Sequence, residues 1–192
     1  MAYTETLKKI NDGRSRISEI LGEMRKLQAA IEPEPVEDYE FATAEGSVRL
    51  SELFGNQEDL FVVHNMGASC QYCTLWADGF NGLVDHLENR AGFVVSSPDA
   101  PDAQLKFANS RGWRFRMVSH AGTSFAQDMG YFAAEGDHTG WQPGISAFRK
   151  DGDRIVRVSD TPLGPGDVFC AAWHIFDLLP AGADSWEPRY NY

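Results

Sequence analysis

From Thr4 to Ile31 the apolar residues Leu7, Ile10, Ile17, Ile20, Leu21, Met24, Leu27 and Ile31 recur at steps of three and four. That spacing predicts a long amphipathic α-helix, or two helices, since Gly13 and Gly22 weaken the helical preference. Ile10, Ile17, Met24 and Ile31 stand seven apart, the repeat of a coiled-coil seam with a second subunit, although Arg14 and Gln28 interrupt the companion positions. Packing on the chain's own domain is the other use of such a stripe. Glu32-Pro33-Glu34-Pro35-Val36-Glu37-Asp38 reads as a linker, because each proline removes a backbone donor and restricts the residue before it.

Beyond the linker the period shortens. Tyr39-Glu40-Phe41 and Ser47-Val48-Arg49-Leu50 flank Glu45-Gly46 as a hairpin, followed by a short helix from Ser51, its cap, to Phe54. Leu60-Phe61-Val62-Val63 has the length and composition of a buried strand, and the turn Asn65 to Ser69 leads into Cys70-Gln71-Tyr72-Cys73 at the start of a helix reaching Leu87. Gly92 to Ser97 is a second strand, Asp102 to Ser110 a helix stopped near Gly112, and Trp113 to Val118 a third strand. Strands alternating with helices predict a largely parallel sheet with crossovers. Ala121 to Gln142 is long, glycine-rich and irregular, as lids and insertions are. Ile145 to Phe148 and Arg154 to Val158 flank Asp151-Gly152 as a tight hairpin; Asp167 to Leu179 is a hydrophobic helix ended by Pro180. The chain thus divides into an arm and linker over 1–38, an α/β domain over 39–180 and an aromatic, irregular tail over 181–192.

A length of 192 residues with 43% hydrophobic composition suits one domain without disulfide staples. The net charge of −11 argues against nucleic acid or an anionic membrane as partner, since both attract basic surfaces. No apolar run approaches the roughly 18 residues of a membrane span. Three cysteines are too few and too odd for a secreted framework, and the N-terminus lacks an apolar signal run, so a reducing cytoplasm is expected.

The cysteine pair is the feature that carries chemistry. A strand delivering Cys70 to a helix N-terminus favours its thiolate, because unpaired N–H groups and the positive end of the helix dipole lie there. Cys73, three residues on, shares that side of the first turn and is placed to close a disulfide, making Cys70 the nucleophile and Cys73 the resolving thiol. A zinc site would need a second ligand pair of similar spacing, which the sequence lacks, and two merely packed cysteines are the bland alternative.

The order of hairpin, strand, CxxC helix, strand, helix, strand, proline, antiparallel hairpin and final helix resembles the thioredoxin fold with a peroxiredoxin-like N-terminal extension. A closer likeness is to a bacterial thioredoxin-like family catalogued as domain of unknown function 899, described as predicted dithiol-disulfide oxidoreductases. Its marks here are Asp38-Tyr39-Glu40-Phe41, Leu53-Phe54-Gly55, His64-Asn65-Met66, Cys70-Gln71-Tyr72-Cys73 with Trp76-Ala77-Asp78, Gly112-Trp113-Arg114-Phe115, Gly144-Ile145-Ser146-Ala147-Phe148 and Asp177-Leu178-Leu179-Pro180. The resemblance implies a three-layer α/β/α sandwich around a mixed sheet, with a hairpin extension and the long N-terminal helix added.

It also implies roles. His64 stands where thioredoxin has a buried acid and would relay the proton of Cys73 through a water, the alternative being a core histidine satisfied by a backbone carbonyl. Pro143 stands where thioredoxins have a cis-proline; if cis, it would set the Gln142 carbonyl and Gly144 N–H beside Cys70, an edge for a peptide substrate, the alternative being an ordinary turn proline. Tyr72 would set the dithiol's surroundings, and Trp76 would pack beneath it or in the core. The partner expected is a protein or small-molecule disulfide or thiol, with no cofactor. Cys170 and His174, four apart, read as packed in an apolar helix, and His86 and His120 as solvated. Two other functions compete: a copper- or zinc-binding module using Cys70, Cys73 and His138, and a thiol peroxidase, for which the Pro-x-x-x-Thr-x-x-Cys signature is missing.

Overall fold

The computed structural model describes residues 3–135 and 139–192. The chain separates into two units, residues 1–33 and residues 34–192. The first is a single helix, α1 (Tyr3–Ala29), which continues through both glycines and contributes no buried residue.

The second unit is built on an eight-stranded sheet in the order β1-β10-β9-β4-β5-β6-β2-β3. Its centre is parallel: β4 (Asp59–His64), β5 (Gly92–Ser97) and β6 (Arg116–Ser119) are linked by α3 (Gln71–Arg90) and α4 (Pro101–Arg111). β9 (Gly144–Asp151) runs antiparallel to β4 and pairs with β10 (Arg154–Pro162), while β2 (Glu40–Thr43) and β3 (Gly46–Arg49) form the hairpin that joins β6 at Ala42 and Ser119. Alternation along the strands gives two cores. Leu60, Val62, Val94, Val118 and Phe148 face α2 (Leu50–Leu53) and α5 (Phe125–Asp128). Val63, Phe93 and Val95 face Trp76, Ala77, Phe80 and Val84 of α3 and Ala108 of α4. This is the expected thioredoxin-like α/β/α sandwich with its mixed sheet and hairpin extension.

Local differences have local causes. The expected linker supplies an edge strand, β1 (Glu34–Val36), against β10; an edge tolerates Pro35, whose missing N–H is not needed by a neighbour. α2 starts one residue early with Arg49 as N-cap, and Ser51 instead donates both its N–H and its hydroxyl to the Asp38 carboxylate. The irregular stretch holds α5 and a small hairpin of β7 (Phe132–Ala133) and β8 (Gly140–Trp141). The last helix, α6, spans only Ala171–Phe176, because Asp167 accepts the N–H groups of Phe169 and Cys170 in a turn of its own. Among the described residues no helix is long and apolar enough to cross a membrane.

Candidate functional site

β4 ends at His64, and the next residues turn sharply over the top of the sheet. The Asn65 side chain accepts the Gly67 N–H at 2.8 Å, and Asp99 beyond β5 accepts the Ala68 N–H at 2.7 Å. Gly67 has φ +102°, and a Cβ there would lie 2.9 Å from the Asp99 carboxylate, so the loop needs glycine twice over. From the far end of the chain, the Tyr190 hydroxyl donates to the Ala68 carbonyl at 3.0 Å.

This loop makes Cys70 the N-cap of α3. Its backbone is extended (φ −93°, ψ 106°) and its sulfur accepts the Cys73 N–H at 3.0 Å. The Cys70 carbonyl is held by both the N–H and the hydroxyl of Thr74. Cys70 is half-buried and Cys73 is 3% exposed; both are free thiols. The hydrogen bond from the Cys73 thiol, followed by the N–H groups of Cys73 and Tyr72, pulls Cys70 down to about 7 against the opposing effect of burial. The same hydrogen bond, with burial and the neighbouring negative sulfur, pushes Cys73 far up. One thiol is therefore poised to ionise and the other to keep its proton.

The remaining expected residues fall into two groups. Tyr72 and Trp76 stay with the dithiol: the Tyr72 ring lies parallel to Trp173 of α6, centroids 6.1 Å apart, and Trp76 is buried beside the same indole at 6.4 Å. Trp76 belongs to the core, its Nε1 having no partner among the described residues. His64 does not join them. It shares the parity of Leu60 and Val62, so its ring points to the face away from α3, stacked between Tyr131 (3.9 Å) and Phe125 (5.3 Å) with Nε2 bonded to Ser146 Oγ. Burial, with His120 and Arg157 adding to it, pushes its pKa down to about 3, so a relay from His64 to Cys73 has neither the geometry nor the basicity.

The Gln142–Pro143 bond is trans, since no peptide bond among the described residues is cis. The backbone there already has partners: the Gln142 N–H donates to Tyr131, Pro143 accepts the Leu163 N–H, and Gly144 lies between His64 and Pro162. A substrate strand at this place would displace the chain's own pairing. His120, expected in solvent, is buried, with Nδ1 on Ser96 Oγ and its ring 4.7 Å from Trp141. Cys170 is the N-cap of α6 and His174 is exposed, bonded to the Asp167 carbonyl. His138 lies outside the described residues, among which no group of three or more His, Cys, Asp or Glu is placed to hold a metal.

Asp99 and Tyr190 are the site residues that sequence reasoning missed. Asn65-x-Gly67 is a legible side-chain-capped turn, but nothing near Cys70 in sequence points to the tail. The tail is held by Arg111, which donates to the Tyr190 carbonyl at 2.6 Å and forks onto Asp78, which also accepts Trp113 Nε1. Together with Gln71, residues Asp184, Trp186, Arg189 and Tyr192 line an open cleft of about 750 Å³ next to the dithiol.

No curated protein matches the sequence. Among solved structures, the chain is similar to Xanthomonas campestris peroxiredoxin Q (17% identity, TM-score 0.56, covering 65% of this chain and 80% of that one). It is also similar to peroxidoxin BcpB of Mycobacterium tuberculosis (26%, TM-score 0.54, 68% and 84%) and to reduced Prx3 of Vibrio vulnificus (14%, TM-score 0.56, 71% and 89%). The family model described as bacterial protein of unknown function, DUF899, matches residues 10–192. On that match the chain belongs to the DUF899 family, with the thioredoxin-like fold that peroxiredoxins share.

Proposed function

We propose that this protein is a thiol-disulfide oxidoreductase in which Cys70 attacks a substrate disulfide and Cys73 resolves the mixed disulfide. The observation that carries the reading is the asymmetry of the pair: a half-exposed sulfur that accepts the Cys73 N–H at the helix N-terminus, three residues before a buried thiol. The Cys70 thiolate bonds to one substrate sulfur and expels the other as a thiolate. Cys73 then loses its proton, attacks Cys70 and expels the second substrate thiolate, so the substrate gains two electrons and the protein becomes a disulfide. With His64 on the other face, the proton of Cys73 passes to the departing thiolate. A thiol donor must reduce the protein disulfide for another turnover.

A second reading, thiol peroxidase, is favoured by the fold shared with peroxiredoxins. There the Cys70 thiolate would cleave the peroxide O–O bond, becoming a sulfenic acid as the alcohol leaves, and Cys73 would condense with it, releasing water. One experiment separates the two: turnover of a chromogenic disulfide and of hydrogen peroxide, each with dithiothreitol as donor. The first reading expects disulfide turnover lost in Cys70→Ser, and a mixed disulfide visible by mass spectrometry in Cys73→Ser. Peroxide turnover well above disulfide turnover would transfer the assignment to the second, and neither activity in the wild type would end both.

A further inference from the structure

The amino-terminal helix leaves its apolar stripe in water. Ile10, Ile17, Ile20, Met24 and Leu27 are between 47 and 71% exposed, although an isolated helix with two internal glycines is marginal in water and gains stability chiefly from covering such a stripe. The exposed set defines a heptad register. Tyr3, Ile10, Ile17 and Met24 fall at a and Thr6, Gly13, Ile20 and Leu27 at d, three residues on, so Arg14 and Gln28 drop to the flanking e position instead of breaking the seam. Asn11, Ser18 and Arg25 at b, Asp12, Glu19 and Lys26 at c, and Ser15, Gly22 and Ala29 at f keep the outer face polar or small.

We propose that α1 pairs with α1 of a second copy of this chain as an antiparallel two-stranded coiled coil, with its two-fold axis passing beside Ser18 and Glu19. This places Ile17 on the partner's Ile20, Ile10 on the partner's Leu27 and Met24 on the partner's Gly13. Size favours that alignment, because a parallel pair sets Gly13 against Gly13 and leaves a hole, whereas the long Met24 side chain fills it. Charge favours it as well. The g residues Lys9, Arg16 and Glu23 meet g residues in an antiparallel pair, so Arg16 lies beside the partner's Glu23 on both sides of the axis. A parallel pair instead sets Lys9 beside the partner's Arg14 and gives Arg16 and Glu23 only Leu21 and Gln28; sliding the antiparallel pair by one heptad sets Arg16 on Arg16. Burying the exposed parts of the five stripe residues on both helices covers about 1,100 Å², the lower end for a specific interface, so the dimer is reversible.

Sedimentation equilibrium of the full-length chain at low ionic strength tests this independently of the redox assignment. The wild type is expected at twice the chain mass, dissociating on dilution, and Ile20→Asp is expected as a monomer. Arg16→Glu should raise the dissociation constant about tenfold, and adding Glu23→Arg to it should restore the wild-type value, since the swapped pair is again opposite in sign. A wild type that stays monomeric at every concentration, an Ile20→Asp dimer, or a double variant as weak as Arg16→Glu overturns the proposal.

Discussion

Replacing Cys73 by alanine takes away the first cause of the Cys70 shift and leaves the others. In the wild type the Cys70 thiol is pulled from its ordinary 9.0 to about 7, and the Cys73 thiol is the largest contributor. At pH 7 a thiol of pKa about 7 is half thiolate, against about 1% at 9, a gain of roughly fiftyfold. Thiolate nucleophilicity falls with pKa, by roughly six- to tenfold over two units, so the net advantage at pH 7 is about five- to eightfold. In Cys73→Ala the N–H groups of residues 72 and 73 still face the sulfur, so the midpoint should settle between 7 and 9. The measurable pattern is a crossing: against wild type, Cys73→Ala reacts more slowly with iodoacetamide at pH 7 and faster on the alkaline plateau. Cys73→Ser, whose hydroxyl still donates, should lie between them. The assay is alkylation rate against pH, followed by mass spectrometry, in a Cys170→Ala background so that no thiol outside the pair is read. A Cys73→Ala midpoint equal to wild type, or a wild-type midpoint near 9, would refute the account of how the nucleophile is activated.

Acid should destabilise the fold through the two buried histidines. Above pH 6.5 both are neutral folded or unfolded; below it the unfolded chain takes up protons that the fold refuses until about 4 for His120 and about 3 for His64. Urea stability should therefore fall by up to about 1.4 kcal/mol per pH unit for each, and His120→Gln should remove one of the two contributions. Gly144→Ala brings a Cβ to 1.8 Å from Tyr131 Cε1, and overpacking of that kind costs about 1 to 3 kcal/mol or more in denaturation experiments. Tyr190→Phe removes the hydroxyl that holds the Ala68 carbonyl; a loss of about 1 kcal/mol in urea is expected, with faster proteolysis of the tail. In the native wild type at neutral pH, alkylation should label Cys70 and spare Cys170, read by peptide mapping.

Where a segment's own periodicity decides its structure, the sequence was readable. The β2–β3 hairpin, the β4-α3-β5-α4-β6 run and the β9–β10 hairpin lie within a few residues of their expected places, because alternation and helical spacing are local signals. The failures are contacts made by distant residues. His64 has the parity of Leu60 and Val62, but which face α3 covers is set by the handedness of the crossover and not by any letter near residue 64. His120 is buried because Trp141 folds over it, and the covering residue comes from the stretch with the weakest pattern. β1 is hidden because proline reads as a breaker, whereas an edge position removes the penalty. Tyr190 and Asp99 reach the cysteine loop from separate parts of the chain, one through a tail that has no periodicity at all.

The third cysteine separates what the helix terminus does from what the pair does. Cys70 and Cys170 both cap helices with extended backbones, φ −93° and −120°, so the two sulfurs start from the same local frame. Their titrations move in opposite directions. Cys170 makes no side-chain capping bond; burial dominates and, with Asp167 nearby, holds its thiol above the ordinary value despite a backbone N–H from Ala172. Cys70 has the same kind of N–H contact and adds the thiol of Cys73. A helix N-terminus alone therefore does not account for an ionised cysteine in this chain. The decisive difference is a second sulfur three residues on, buried enough to keep its proton and close enough to donate it as a hydrogen bond. The same residue that would resolve a mixed disulfide is thus the one that activates the nucleophile, and this double dependence explains why the Cys73 substitution, not a change in the helix, is the sharpest test of the site.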